Sequence, residues 1–346
     1  MKVGLFTAPY KDEPLDEVLP ELETLGVEAV ELGTGNFPGD EHCRLDKLLD
    51  NPAAQTVLLE LVERHGMVIS ALSQQGNPLH PQRAVAGGAH DTWRKTVRLA
   101  EQLGVPVVNA FSGCPGDSPT ALHPNWVTCA WPPEFVELRE RQWSDIVVPY
   151  WANEARFAAE HGVSIGIEMH PGFVVYSPTT LLELRHRAGE SVGANFDPSH
   201  LFWQQIDPVE SISLLADEGA IFHVHAKDTE LHESTIRVKG VLDTDPLERV
   251  DLRSWSFRTL GLGHDETVWV DMVAALARAG YDYVLSVEHE DEMLGTREAI
   301  GRSIALLRRV VDQVASASIP SDLASGHDGR PALDMTLLPE GGKTDA

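Results

Sequence analysis

Eight short apolar or β-branched runs recur along this chain, and a longer segment of helical character follows most of them. That alternation constrains the fold more than any other feature. The strand-like runs are "VGLFTA" (3–8), "AVELG" (29–33), "VISALS" (68–73) and "VPVVNAF" (105–111), then "SIGIEM" (164–169), "VGANFD" (192–197), "IFHVHA" (221–226) and "YVLSVE" (283–288). Helical patterns between them include 14–26, 91–104, 150–162 and 269–280, each closing on a glycine after its last apolar turn. Strands that alternate with helices predict parallel β/α architecture, and a count of eight predicts one closed (β/α)₈ barrel. No G-x-G-x-x-G follows the first strand, which argues against a dinucleotide-binding fold. The expected catalytic domain is 1–315. Residues 316–346, polar and rich in glycine and proline, are expected as a flexible tail or an arm docking on another copy of the chain.

Two connections exceed what a barrel needs. Residues 114–142 follow the fourth strand and 230–263 follow the seventh. Both belong at the C-terminal face of a barrel, where long loops form walls or lids of a site. The first carries Trp126 and Trp131 among prolines; Trp126 is a candidate for stacking on a sugar face, and packing on the barrel rim is the plainer alternative.

Side-chain parity then sorts the strand ends. Successive residues of a barrel strand alternate between the interior and the helix layer. In "SIGIEM" the apolar Ile165, Ile167 and Met169 belong under helices, which leaves Ser164, Gly166 and Glu168 inside. The same test turns Gly193, Asn195 and Asp197 inward, then His223 and His225, then Ser286 and Glu288. Glu168, Asp197, His225 and Glu288 therefore end four consecutive strands on the interior side. Three converging carboxylates repel unless protons or a cation neutralise them. Oxygen donors with one imidazole suit a single divalent ion, Mn²⁺ first, with Mg²⁺, Co²⁺ and Zn²⁺ as alternatives. His225 lies level with the carboxylates. His223 is two residues deeper, where a supporting hydrogen-bond role behind the ligands is expected.

Composition narrows the partners. The 53 acidic and 27 basic residues leave a formal charge of −26, which opposes nucleic acid and anionic membranes and leaves a small molecule as the expected partner. The three cysteines, Cys43, Cys114 and Cys129, form no C-x-x-C pair and fit a reduced, cytoplasmic setting. The N-terminus lacks a signal-peptide pattern, and no apolar run is long enough to span a bilayer.

The stretches "IEMHPG", "NFDPSHLFW", "HVHAKD" and "SVEHED" resemble motifs of the xylose-isomerase-like sugar phosphate isomerase/epimerase family, over roughly residues 1–315 in strand order and most clearly over 164–291. The resemblance implies a TIM barrel that holds one divalent metal through Glu168, Asp197, His225 and Glu288. It also implies that His200, in the D-x-x-H element, binds substrate. Related ketose epimerases carry an arginine shortly after the metal histidine. Here that stretch reads "AKDTELH", so Lys227, Asp228 or His232 are expected in its place, with Arg237 and Lys239 further along. No glycine-rich phosphate loop accompanies these motifs.

The first expected function is a sugar isomerase or epimerase in which the metal polarises a carbonyl, an enediolate forms, and Glu168 and Glu288 exchange the proton. His170 is a further candidate for holding hydroxyls. A second is a lyase or hydratase acting on 3-keto-sugars or 3-keto-glycosides through the same proton abstraction. Endonuclease IV-like DNA repair is disfavoured, because the third and fourth strands end without histidine and no D-x-H lies in 226–265. A non-catalytic sugar-binding barrel is the remaining class.

Overall fold

A computed structural model describes residues 1–317. Eight parallel strands close into a barrel: β1 (Lys2–Phe6), β2 (Ala29–Gly33), β3 (Val68–Ser73), β4 (Val107–Phe111), β5 (Ser164–Glu168), β6 (Val192–Phe196), β7 (Ile221–Ala226) and β10 (Val284–Val287). The order around the barrel is β1-β10-β7-β6-β5-β4-β3-β2. This is the expected (β/α)₈ barrel, with long connections after its fourth and seventh strands. The expected tail lies outside the described residues from 318 onward. Among the described residues no helix is long and apolar enough to cross a membrane.

Parity is obeyed at the mouth-side ends of β5, β6, β7 and β10 but breaks on β3, where Ser70 reaches His223 and Ser73 reaches Glu31, so both face inward across a register shift. Ile165, Ile167, Ala194, Phe196, Val224, Leu285 and Val287 are buried in the apolar core beneath the helices, while the opposite set faces the barrel axis. The interior is tight enough that a side chain at Gly166 would run into Asn109 Oδ1. The register shifts at two places, between Val30 and Glu31 and between Ala194 and Asn195. Such irregularities re-aim the following side chain, and both Glu31 and Asn195 contact His225.

Two elements differ from expectation. The helix read as 91–104 begins eight residues earlier and spans Arg83–Leu103. Gly87 and Gly88 broke the sequence pattern, but both are exposed, and burial of Ala89, Trp93, Val97 and Ala100 carries the helix past their weak propensity. The connection after β7 is not a plain loop. It forms an antiparallel pair, β8 (Asp228–Leu231) with β9 (Trp255–Arg258), and a short helix, Glu233–Lys239, lies between them.

Candidate metal centre

The four ends converge. One donor atom from each of Glu168, Asp197, His225 and Glu288 lies within 4.8 Å of the others. Glu168 Oε2 accepts from Gln75 Nε2 at 3.1 Å, and Glu168 Oε1 stands 3.2 Å from His200 Nε2. Asp197 is wholly buried; its Oδ1 accepts the backbone N–H of Ser199, while its Oδ2 has no hydrogen-bond partner. Glu288 pairs with His225 Nδ1 and with Lys227 Nζ, each at 3.1 Å. A buried carboxylate oxygen without a donor is costly unless a cation faces it. Lys227 Nζ stands 3.9 Å from that oxygen, and three carboxylates with one imidazole are a donor set that suits a hard divalent ion.

His225 resolves the division of labour between its two nitrogens. Nε2 lies 2.9 and 3.0 Å from the two carboxylate oxygens of Glu31. Nδ1 faces Glu288 at 3.1 Å and Glu168 Oε2 at 3.7 Å. The nitrogen turned to the quartet is therefore Nδ1, and Glu31 orients the ring from behind, as carboxylates do behind metal-binding imidazoles. His223 lies below. Its Nδ1 is 3.1 Å from Asn195 Oδ1 and its Nε2 is 3.3 Å from Ser70 Oγ.

The electrostatics follow from burial and crowding. Burial, then repulsion from Glu288, raises the Glu168 carboxyl. Burial likewise lifts Asp197 to about 6. Burial would raise Glu288 too, but Lys227 and His225 hold it well below the usual carboxylate range. Burial depresses His170 to about 3 and His200 to about 4, so both imidazoles are neutral near pH 7.

Of the other residues picked from sequence, His200 lies 3.4 Å from Asp197 Oδ2, and His170 packs on His200 with ring centroids 4.1 Å apart. Lys227 is buried, bridges Glu288 and Glu290, and sits 4.1 Å over the Phe257 ring. Trp126 packs edge-on against Tyr176, away from the quartet. Asp228 corrects an expectation. Its carboxylate accepts the backbone N–H groups of Thr229, Gly261, Gly263 and His264, and it pairs with His264 Nδ1, so it ties the loop before the helix Glu266–Arg278 rather than facing the cleft. His232 is likewise occupied within the β8–β9 arm. Arg237 is exposed, and Lys239 binds Asp243 and Asp245.

Sequence reading passed over Glu31. It is fully buried and takes hydrogen bonds from Ser73, Asn109 Nδ2 at 3.0 Å and Ser286 Oγ at 2.7 Å. The signal was present: a glutamate between Val30 and Leu32 in a strand has interior parity. Gln75 and Glu290 had no such signal, because each lies just beyond its strand.

A closed barrel carries three carboxylates and one imidazole at the C-terminal ends of consecutive strands, the face where barrels of this kind hold their active sites. The family model described as "Xylose isomerase-like TIM barrel" matches residues 19–310, and the chain belongs to that family. The "Uncharacterized protein YfiH" of Bacillus subtilis (strain 168) is 33% identical over 317 residues, which cover 90% of this chain and 100% of that protein. Among solved structures, a D-tagatose 3-epimerase-like protein superposes with a TM-score of 0.61 at 20% identity, covering 91% of this chain and 98% of that one. The IOLI protein, solved with a bound zinc atom, gives 0.62 at 20% identity, with 91% and 100% covered. At those identities the likeness is one of fold.

Proposed function

We propose that the protein is a divalent-metal-dependent sugar isomerase or epimerase that moves a proton at a carbon beside a carbonyl. The supporting observation is the placement of two carboxylates, Glu168 and Glu288, on strands that β6 and β7 separate in the barrel order, with Asp197 and His225 between them. The four side chains would hold the ion, Mn²⁺ by preference for this donor set. A divalent ion there supplies Lewis-acid polarisation of the substrate carbonyl.

The chain's own residues account for the remainder. Glu168 is oriented by Gln75 and His200, and Glu288 by Lys227 and His225, so neither carboxylate swings freely. One accepts the proton from the carbon and the other returns a proton from the opposite side. Return to the same carbon epimerises; return to its neighbour isomerises. The Lys227 ammonium stabilises negative charge as the C–H bond breaks. The neutral imidazoles of His170 and His200 are placed to hydrogen-bond sugar hydroxyls. Phe6, Phe37, Phe111 and Phe173 line the cleft, whose volume is about 560 Å³, and give it apolar walls beside the polar quartet. The three unbridged cysteines favour a cytoplasmic setting.

The test is ¹H NMR in D₂O on a panel of ketoses and 3-keto-glycosides with added Mn²⁺. Deuterium should enter at one carbon beside the carbonyl, and the Glu288→Gln protein should not incorporate it. Incorporation by Glu288→Gln at the wild-type rate would sink the two-carboxylate mechanism.

A further inference from the structure

Gln75 has two polar ends, and Glu168 engages only one of them. The residue follows β3, is buried, and lines the metal cleft. Its Nε2 donates to Glu168 Oε2 at 3.1 Å, while its Oε1 is buried without a hydrogen-bond partner. An ionised carboxylate only accepts, so the NH₂ end of the amide belongs on Glu168 and the oxygen is the free end. A buried acceptor that no donor meets is unfavourable. The neighbouring walls supply none: β3 lies between β2, which leads to Phe37, and β4, which ends on Phe111, and both rings line the cleft.

The backbone beneath Gln75 is clamped from both sides. Phe37 N donates to Gln75 O at 2.9 Å, and Gln74 N donates to Asn109 O at 3.1 Å. Asn36, held at a φ of 59°, gives its Nδ2 to Gln74 O at 3.2 Å and to Gln74 Oε1 at 2.7 Å. A side chain at Gly76 would run into Asn36. The amide is therefore set before any substrate arrives, which lowers the ordering cost of binding.

Its position relative to the reacting carbon follows from bond lengths. The two ends of a carboxamide are roughly 2 Å apart, so Oε1 lies within about 5.5 Å of the Glu168 oxygen that Nε2 steadies. A carbon exchanging a proton with Glu168 stands about 3–3.5 Å from that carboxylate. On a ketose, the carbonyl oxygen and the hydroxyl of that carbon face the quartet. The next hydroxyl along the chain is the first left for the protein's own acceptors.

We propose that Gln75 is a specificity-determining residue: its Oε1 accepts the C4 hydroxyl of a ketose whose C3 proton moves between Glu168 and Glu288. One amide thereby ties a catalytic carboxylate to the substrate chain, and the site distinguishes configuration at C4, a carbon that takes no part in the proton transfer. This rests on the reading of the quartet as a sugar isomerase or epimerase site. A site built to hydrogen-bond a hydroxyl rejects the analogue that lacks it.

The experiment follows deuterium entry at C3 by ¹H NMR in D₂O, with the full-length, Mn²⁺-loaded protein. The probes are D-fructose, its C4 epimer D-tagatose, and the one 4-deoxy compound that both become when that hydroxyl is removed. One epimer should exceed the other two probes in kcat/KM by at least about tenfold. Gln75→Met keeps the side-chain length without either polar end. It should slow all three probes, because Glu168 loses its donor, and bring the ratios close to one. Gln75→Glu keeps an acceptor without the amide donor and should retain the C4 preference at a lower rate. Bound Mn²⁺ and an unchanged far-UV circular dichroism spectrum verify that each variant is folded. Equal exchange of all three probes by the wild type, deuterium at C1 alone, or unchanged ratios in Gln75→Met would overturn the role of Gln75 and leave the proton-transfer site standing. Exchange from none of the three would overturn both.

Discussion

The barrel interior contains two acidic clusters that share His225, and they solve the same electrostatic problem in opposite ways. The deeper one, Glu31 with His223 and His225, is self-sufficient. Glu31 Oε1 is held by Ser73, Asn109 and His225, and Oε2 by Ser286 and His225. Burial alone would raise the Glu31 carboxyl, but the two imidazoles pull it down to about 2. The upper cluster has a surplus of acid. Glu168 and Asp197 are both raised by burial, and Asp197 Oδ2 lacks a hydrogen bond. A carboxylate whose every oxygen is donated to is a scaffold. Carboxylates that crowd one another around an oxygen without a hydrogen bond are a candidate cation site, which the Lys227 ammonium 3.9 Å away only partly answers. His225 joins the two, one nitrogen on each.

Substitutions on either side of His225 test that contrast. The largest effect is expected at the mouth. Glu168→Gln or Glu288→Gln should cut turnover on the order of 10²- to 10⁴-fold while most of the bound metal stays, as turnover assay and metal analysis would show. His225→Ala, which removes the shared ring, should release the metal altogether; a stoichiometric ion in that variant would contradict the donor set. Glu31→Gln acts in the deep cluster. It leaves His225 without its buried partner and should cost about 3–5 kcal/mol of stability, measured by denaturant unfolding of metal-free protein, with metal affinity falling about 10–100-fold. Chelation alone should be milder: removing an ion present at a hundredfold excess over its Kd costs about 2.7 kcal/mol, read as a lower melting temperature. His223→Ala should be mildest, about 1–3 kcal/mol, with weakened but not abolished metal binding. If Glu31→Gln left both stability and metal affinity untouched, the division into scaffold and cation site would fail.

Much of this was legible in the residues because strand parity is a local rule. Apolar residues at Ile165, Ile167, Val224, Leu285 and Val287 must go under helices, so their neighbours Glu168, His225 and Glu288 had to face the axis, and the structure places them there. Glu31 obeyed the same rule in the second strand. Asp228 misled for the opposite reason. It lies just beyond the last metal-site residue of its strand, yet its carboxylate turns away to collect N–H groups from residues 261–264. Nothing local encodes that turn.

The sequence by itself determined the barrel, the four converging side chains and the acid surplus, since alternation and charge are properties of short stretches. Only the tertiary structure decided which nitrogen of His225 faces the quartet, that Gln75 reaches Glu168 across the end of β4, and that Trp126 and Trp255 line one cavity. Those relations join residues up to about two hundred positions apart, such as Glu31 and His225. They depend on barrel closure and loop packing, whose free energy is spread over the whole core rather than written at any one position.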